Sequence, residues 1–84
     1  MNMDEETKEL VTEIIKLVLH KNAKDKELFV QYYGNANLLE VYYYSLGYER
    51  MDEKDSKMIT HRVYLDRPET KKKLEAVIED INDL

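Results

Sequence analysis

The sequence predicts an α+β fold, a three-stranded antiparallel sheet with two helices packed on one face, in the order α-β-β-β-α. Three observations predict it. Apolar residues recur at helical spacing near both ends of the 84-residue chain. Between them the spacing shortens to two, in three runs rich in β-branched and aromatic side chains. A short Gly/Asn segment joins the first two runs, as in a hairpin. Two amphipathic helices and one small sheet bury their apolar sides most economically by sharing a single core.

The first element runs from Asp4 to about His20. Leu10, Val11, Ile14, Leu17 and Val18 follow i, i+3, i+4, i+7 spacing, and Met3 and Thr7 extend the stripe backwards. Ile15 and Leu19 widen this face, which suits packing on a sheet. Asp4, Glu5 and Glu6 lie where the helix dipole is positive, and His20, Lys21 and Lys24 lie where it is negative. Asn22 to Glu27 is a polar connection. Leu28–Tyr33 and Leu39–Tyr44 are the first two strands, with Gly34-Asn35-Ala36-Asn37 as a turn whose Gly and Asn tolerate positive φ. Gly47 closes the second strand, the charged stretch Glu49–Lys57 is an exposed loop, and Met58–Leu65 is the third strand. Asp66-Arg67-Pro68-Glu69 then reads as a capping box with aspartate as the cap. Leu74, Val77, Ile78, Ile81 and Leu84 form the buried stripe of the last helix.

Alternation along the strands divides the sheet into two faces. Leu28, Val30 and Tyr32, then Leu39, Val41 and Tyr43, then Ile59, His61, Val63 and Leu65 point to the helices. The other face carries Phe29, Tyr33, Tyr42, Tyr44 and Tyr64 around Gln31, Leu38, Glu40, Thr60 and Arg62. Tyrosine-rich patches with arginine are characteristic of protein interfaces, because each ring buries much area at low entropic cost. Exposed rings on a small sheet also stack nucleobases. The bland alternative is that tyrosine is a good strand former whose hydroxyl reaches water.

Composition narrows the function classes. One domain spanning 1–84 is expected, with no cysteine and therefore no disulfide framework, thiolate metal site or cysteine nucleophile. A cytoplasmic location is expected from the missing cysteine, the acidic N-terminus and the lack of a membrane-length apolar run. His20 and His61 stand in separate elements without a Ser-His-Asp pattern, and no His-Glu-x-x-His, phosphate-loop or calcium-loop motif occurs. No catalytic residue, cofactor or metal ligand is therefore assigned, and no enzyme is expected. In the last helix Arg67, Lys71, Lys72 and Lys73 crowd the start while Glu75, Glu79, Asp80 and Asp83 crowd the end, against the dipole. The basic group is a candidate anion or nucleic-acid contact. Its bland alternative is a solvated face paired within the helix.

The α-β-β-β-α order and Lys71-Lys72-Lys73 resemble double-stranded-RNA-binding domains, which implies an RNA partner. The turn Gly34-Asn35-Ala36-Asn37 departs from the Gly-Pro-x-His-like loop of those domains, and Leu74-Glu75-Ala76 departs from their small, basic helix pattern. Phe29-Val30-Gln31-Tyr32-Tyr33-Gly34, Leu39-Glu40-Val41 and Tyr44-x-x-Gly47-Tyr48 look like small proteins of phages and prophages of low-GC Gram-positive bacteria. In size, charge and architecture the chain is also similar to small acidic anti-CRISPR inhibitors. Those resemblances imply a protein that binds and blocks a partner.

The expected function is accordingly a small acidic interaction protein that binds a protein partner through Phe29, Tyr33, Tyr42, Tyr44, Arg62 and Tyr64, in an anti-defence role. The alternatives are a nucleic-acid or nucleotide binder using Arg67 and Lys71–Lys73, and a homodimer that self-associates through the sheet face. No membrane partner is expected. The formal charge of −5 divides unevenly. Five carboxylates face two lysines between Asp4 and His20, six face four cations from Asp66 onward, and the stretch between is balanced. The strands thus form a near-neutral aromatic layer beside acidic helices.

Overall fold

Helix α1 (Glu5–Asn22) starts one residue after its cap. Asp4 Oδ1 accepts the Thr7 N–H at 2.8 Å, and that bond, ahead of the nearby Lys71, holds the Asp4 carboxyl below the usual range. Strands β1 (Leu28–Tyr33), β2 (Leu38–Tyr44) and β3 (Met58–Tyr64) follow, then helix α2 (Thr70–Asn82). The computed structural model describes residues 4–22, 27–46 and 50–84. The expectations for Met3, for Ala23–Lys26 within the first connection and for Gly47 lie outside the described residues.

The sheet is antiparallel with β2 in the centre, in the order β1-β2-β3. Phe29 pairs with Tyr42 and Gln31 with Glu40; on the other side Glu40 pairs with Arg62 and Tyr42 with Thr60. This register reproduces the two faces expected from alternation. Leu39, Val41 and Val63 join Ile14 and Val18 of α1 and Leu74, Val77 and Ile81 of α2 in one buried core. The fold is therefore α+β, with both helices on one face of the sheet.

The turn between β1 and β2 is a single 3₁₀ turn, Gly34–Ala36, closed by Asn37 at φ 49°. Asparagine is among the few residues that occupy this left-handed region at modest cost. The Asn37 carbonyl then accepts the Leu65 N–H at 2.7 Å, which fastens the turn to the end of β3.

The helices run parallel. Lys71, at the start of α2, lies 3.2 Å from both Asp4 Oδ2 and Glu6 Oε2 at the start of α1. At the other end, Lys21 Nζ donates to the carbonyls of Asn82 and Leu84, each at 3.4 Å. Parallel dipoles repel, and each clasp places opposite charge across the paired ends.

Two sequence expectations are corrected. Asp66 does not cap α2, which begins four residues later at Thr70 without a side-chain cap bond. Asp66 instead pairs with Arg67 at 2.8 Å, and the buried Thr70 organises the preceding turn. Its hydroxyl donates to the Tyr64 carbonyl at 2.6 Å and accepts the Arg67 N–H at 3.1 Å. The second correction concerns Ile15, Leu19, Val30 and Tyr32, which do not join the core although all four have the spacing of core residues. Leu19 is 66% exposed, because α1 covers only one stripe of a narrow sheet.

Candidate functional site

The face opposite the helices brings the expected residues together. Phe29 on β1 and Tyr42 on β2 are directly opposite each other, and their rings stack with centroids 4.8 Å apart at 11°. Such a pair adds about 0.5–1.5 kcal/mol beyond area burial. Next along the same two strands, Tyr33 donates its hydroxyl to Gln31 Oε1 at 2.8 Å. Across to β3, Arg62 Nε lies 3.2 Å from Glu40 Oε2, a cross-strand ion pair on directly opposed residues. The Arg67 guanidinium sits 5.1 Å from the centre of the Tyr64 ring. The rings and charges of this face are thus held by one another.

Gln31, Glu40, Tyr42, Tyr44, Met58 and Thr60 line a shallow depression of about 290 Å³ on this face. Met58 is 58% exposed and belongs to the site. It has the same strand parity as Thr60, Arg62 and Tyr64, so alternation extended by one residue finds it. Leu38 behaves differently. It is only 4% exposed on a face without helices. Its direct neighbours across the two ladders are Tyr33 and Tyr64, the large side chains in reach to shelter it. Leu38 is thus the floor of the face at that end and not a contact surface.

The basic group at the start of α2 is dispersed. Lys71 is engaged by Asp4 and Glu6, whose hydrogen bonds hold its ammonium pKa above the ordinary value. Lys73 lies 3.8 Å from Glu69, and Arg67 is shared between Asp66 and the Tyr64 ring. Lys72 is exposed and has no ion pair among the described residues. The four cations therefore do not converge on one anion position.

A polar cluster on the helix side has no counterpart in the sequence expectations. Asp80 Oδ2 accepts the Tyr43 hydroxyl at 2.8 Å and lies 2.8 Å from His61 Nε2. Burial pushes the Asp80 carboxyl up, but the bonds from His61 and Tyr43 outweigh it and leave the group below its ordinary value. Burial, reinforced by Asp80, pushes the Tyr43 phenol up to about 12. Tyr43 is 8% exposed, so its hydroxyl needs a partner there. The inward assignment of His61 and Tyr43 is correct, whereas nothing in the sequence marks Asp80 as the residue that joins them. The arrangement closes the seam between α2 and the sheet. Among the described residues no group of three or more His, Asp or Glu side chains is gathered to hold a metal, and no helix is long and apolar enough to cross a membrane.

Compared with family models, with curated proteins and with solved structures, the chain gives no match.

Proposed function

We propose that this chain is a small protein-binding module whose partner seats on the open face of the sheet. The observation that carries the reading is the pre-paired aromatic face, with Phe29 on Tyr42, Tyr33 on Gln31 and Arg62 on Glu40. Side chains already fixed lose less entropy when a partner arrives, so more of the contact energy survives as affinity. Tyrosine and arginine are also the residue types that dominate binding energy at interfaces. Glu75, Glu79 and Asp83 make no ion pairs among the described residues and would steer a basic partner toward the molecule. With the resemblance to phage and anti-CRISPR proteins, this favours a partner with a basic groove and an anti-defence role.

The nucleic-acid alternative has less support, since Lys71 and Lys73 are engaged by carboxylates of the same chain. The test is a Tyr42→Ser/Tyr44→Ser double variant with unchanged circular dichroism. Immobilised on beads, it should capture the partner from native host lysate at least about thirtyfold more weakly than wild type, the loss of about 2 kcal/mol typical of one dominant contact. Equal capture by both proteins would refute the open face as the interface. Tight RNA binding with a steep salt slope would replace the reading with the nucleic-acid one.

A further inference from the structure

We infer that β1 is a dimerisation edge, where two copies of this chain join their sheets into one of six strands. The edge is distinct from the open face and does not depend on the proposed function.

Backbone geometry identifies the unpaired groups. Ser45 N–H bonds the Lys57 carbonyl and Leu65 N–H bonds the Asn37 carbonyl, so odd-numbered residues of the central hairpin direct their backbone toward β3. Even-numbered residues of β2 therefore face β1, where their partners are Phe29, Gln31 and Tyr33. Leu28, Val30 and Tyr32 are left pointing away from the sheet. Leu28 confirms this, because its N–H and carbonyl are both taken by the Asn22 side chain, at 2.6 and 3.3 Å. Among the described residues nothing takes the corresponding groups of Val30 and Tyr32.

Edge strands are normally blunted by charge, proline, a bulge or a covering segment. Strand β3 is blunted: Arg62 stands in its middle, and Thr70 takes the Tyr64 carbonyl. Strand β1, Leu-Phe-Val-Gln-Tyr-Tyr, has no charge and no proline. The C-terminal half of the α1 flank beside it is apolar as well. Lys21 and Glu6 reach α2, whereas Ile15, Leu19 and Asn22 project from the opposite side of α1, and Asn22 touches the outer edge of Leu28. Ile15, Leu19, Val30 and Tyr32 are all exposed, Tyr32 by 54%.

The occupant that fits is a second copy of the chain. An antiparallel two-fold pairing centred on Gln31 sets Val30 opposite the partner's Tyr32 and Tyr32 opposite the partner's Val30. All four free backbone groups on each copy are then bonded, and each hydrogen-bonded pair is an aromatic–β-branched one. Centring on Val30 would set Leu28 opposite the partner's Tyr32, but Asn22 already occupies the Leu28 groups. The asparagine thus excludes that register. In the pairing centred on Gln31 the apolar flanks of the two α1 helices meet, and the tyrosine faces of both copies lie on one side of a continuous sheet.

The test exploits the absence of cysteine. Across a non-hydrogen-bonded antiparallel pair the Cα atoms lie roughly 4.5 Å apart, within disulfide reach. Gln31→Cys should therefore oxidise to a covalent dimer, while Arg62→Cys, on the same face but the opposite edge, should remain a single chain. Light scattering of the unmodified chain from micromolar to millimolar concentration should rise from 10.1 kDa to twice that mass. Tyr32→Lys and Leu19→Glu, with unchanged circular dichroism, should each raise the dissociation constant about tenfold or more. A single-chain mass throughout, or equal cross-linking at both cysteine positions, overturns the inference. So does a dimer abolished by Tyr42→Ser/Tyr44→Ser but untouched by Tyr32→Lys, which would assign self-association to the open face.

Discussion

Replacing Tyr43 with phenylalanine tests the seam between α2 and the sheet. The ring is retained, so the packing against the core is unchanged and only the hydroxyl on Asp80 Oδ2 is lost. A hydrogen bond to a charged group contributes about 1.5–3 kcal/mol. The Asp80 side chain is 40% exposed and water can replace the lost donor, which puts the cost near the low end, about 1.5 kcal/mol. For a domain of this size that lowers Tm by about 6–12 °C. The alkaline limb gives an independent check. The folded-state pKa of Tyr43, about 12, lies above the unfolded value of 10.0, so its contribution is complete below pH 10 and disappears as pH rises through 12. The variant lacks this group and should lose less stability over that interval. Thermal unfolding at pH 7 measures the first effect and urea unfolding from pH 7 to 12 the second, both followed by circular dichroism. Equal Tm values at pH 7, or parallel alkaline losses, would show that Asp80 does not hold Tyr43.

Two further substitutions test the joints that position the open face. Thr70→Val should cost about 1–3 kcal/mol in thermal unfolding, because the Tyr64 carbonyl and the Arg67 N–H both lose a partner, while Thr70→Ser should retain most of the stability. Asn37→Ala forces an ordinary side chain into φ 49° and should cost about 1–2 kcal/mol, whereas Asn37→Gly should lie close to wild type; equal losses would mean that the turn relaxes out of the left-handed region. On the acid side, the depressed Asp80 pKa makes its contribution complete above its ordinary 3.8 and progressively lost as pH falls below that value. An Asp80→Asn variant should therefore show a flatter acid limb in the same urea assay.

Period and alternation were sufficient to order the elements and to divide the sheet. Each strand carries a polar residue, Gln31, Glu40 or Arg62, whose parity marks the open side, and those three residues lie in one row across the sheet. Local signals failed where a non-local contact outcompeted them. Asp66-Arg67-Pro68-Glu69 has the composition of a helix start, yet Thr70 finds a better acceptor in the Tyr64 carbonyl and moves the start along the chain. Lys71 opposes the dipole of its own helix, a cost that is offset by Glu6 and Asp4, 65 and 67 residues away. Ile15 has the spacing of a core residue, but three strands leave too little width beneath α1. Asp80 escaped because a carboxylate on a helix carries no mark of the phenol and imidazole it will meet.

The two clasps between the helices also bear on how the molecule is made. They join residues 61 to 67 positions apart, whereas four residues join β1 to β2 and thirteen join β2 to β3. The strands can pair early, but their apolar side is only partly covered until the thirteen-residue helix α2 docks beside the first. During synthesis α1 leaves the ribosome first and waits through the whole sheet for its neighbour. Folding of this domain is therefore gated by the docking of α2, and a ribosome stalled before Thr70 holds a sheet whose greasy side is half-roofed and open to aggregation.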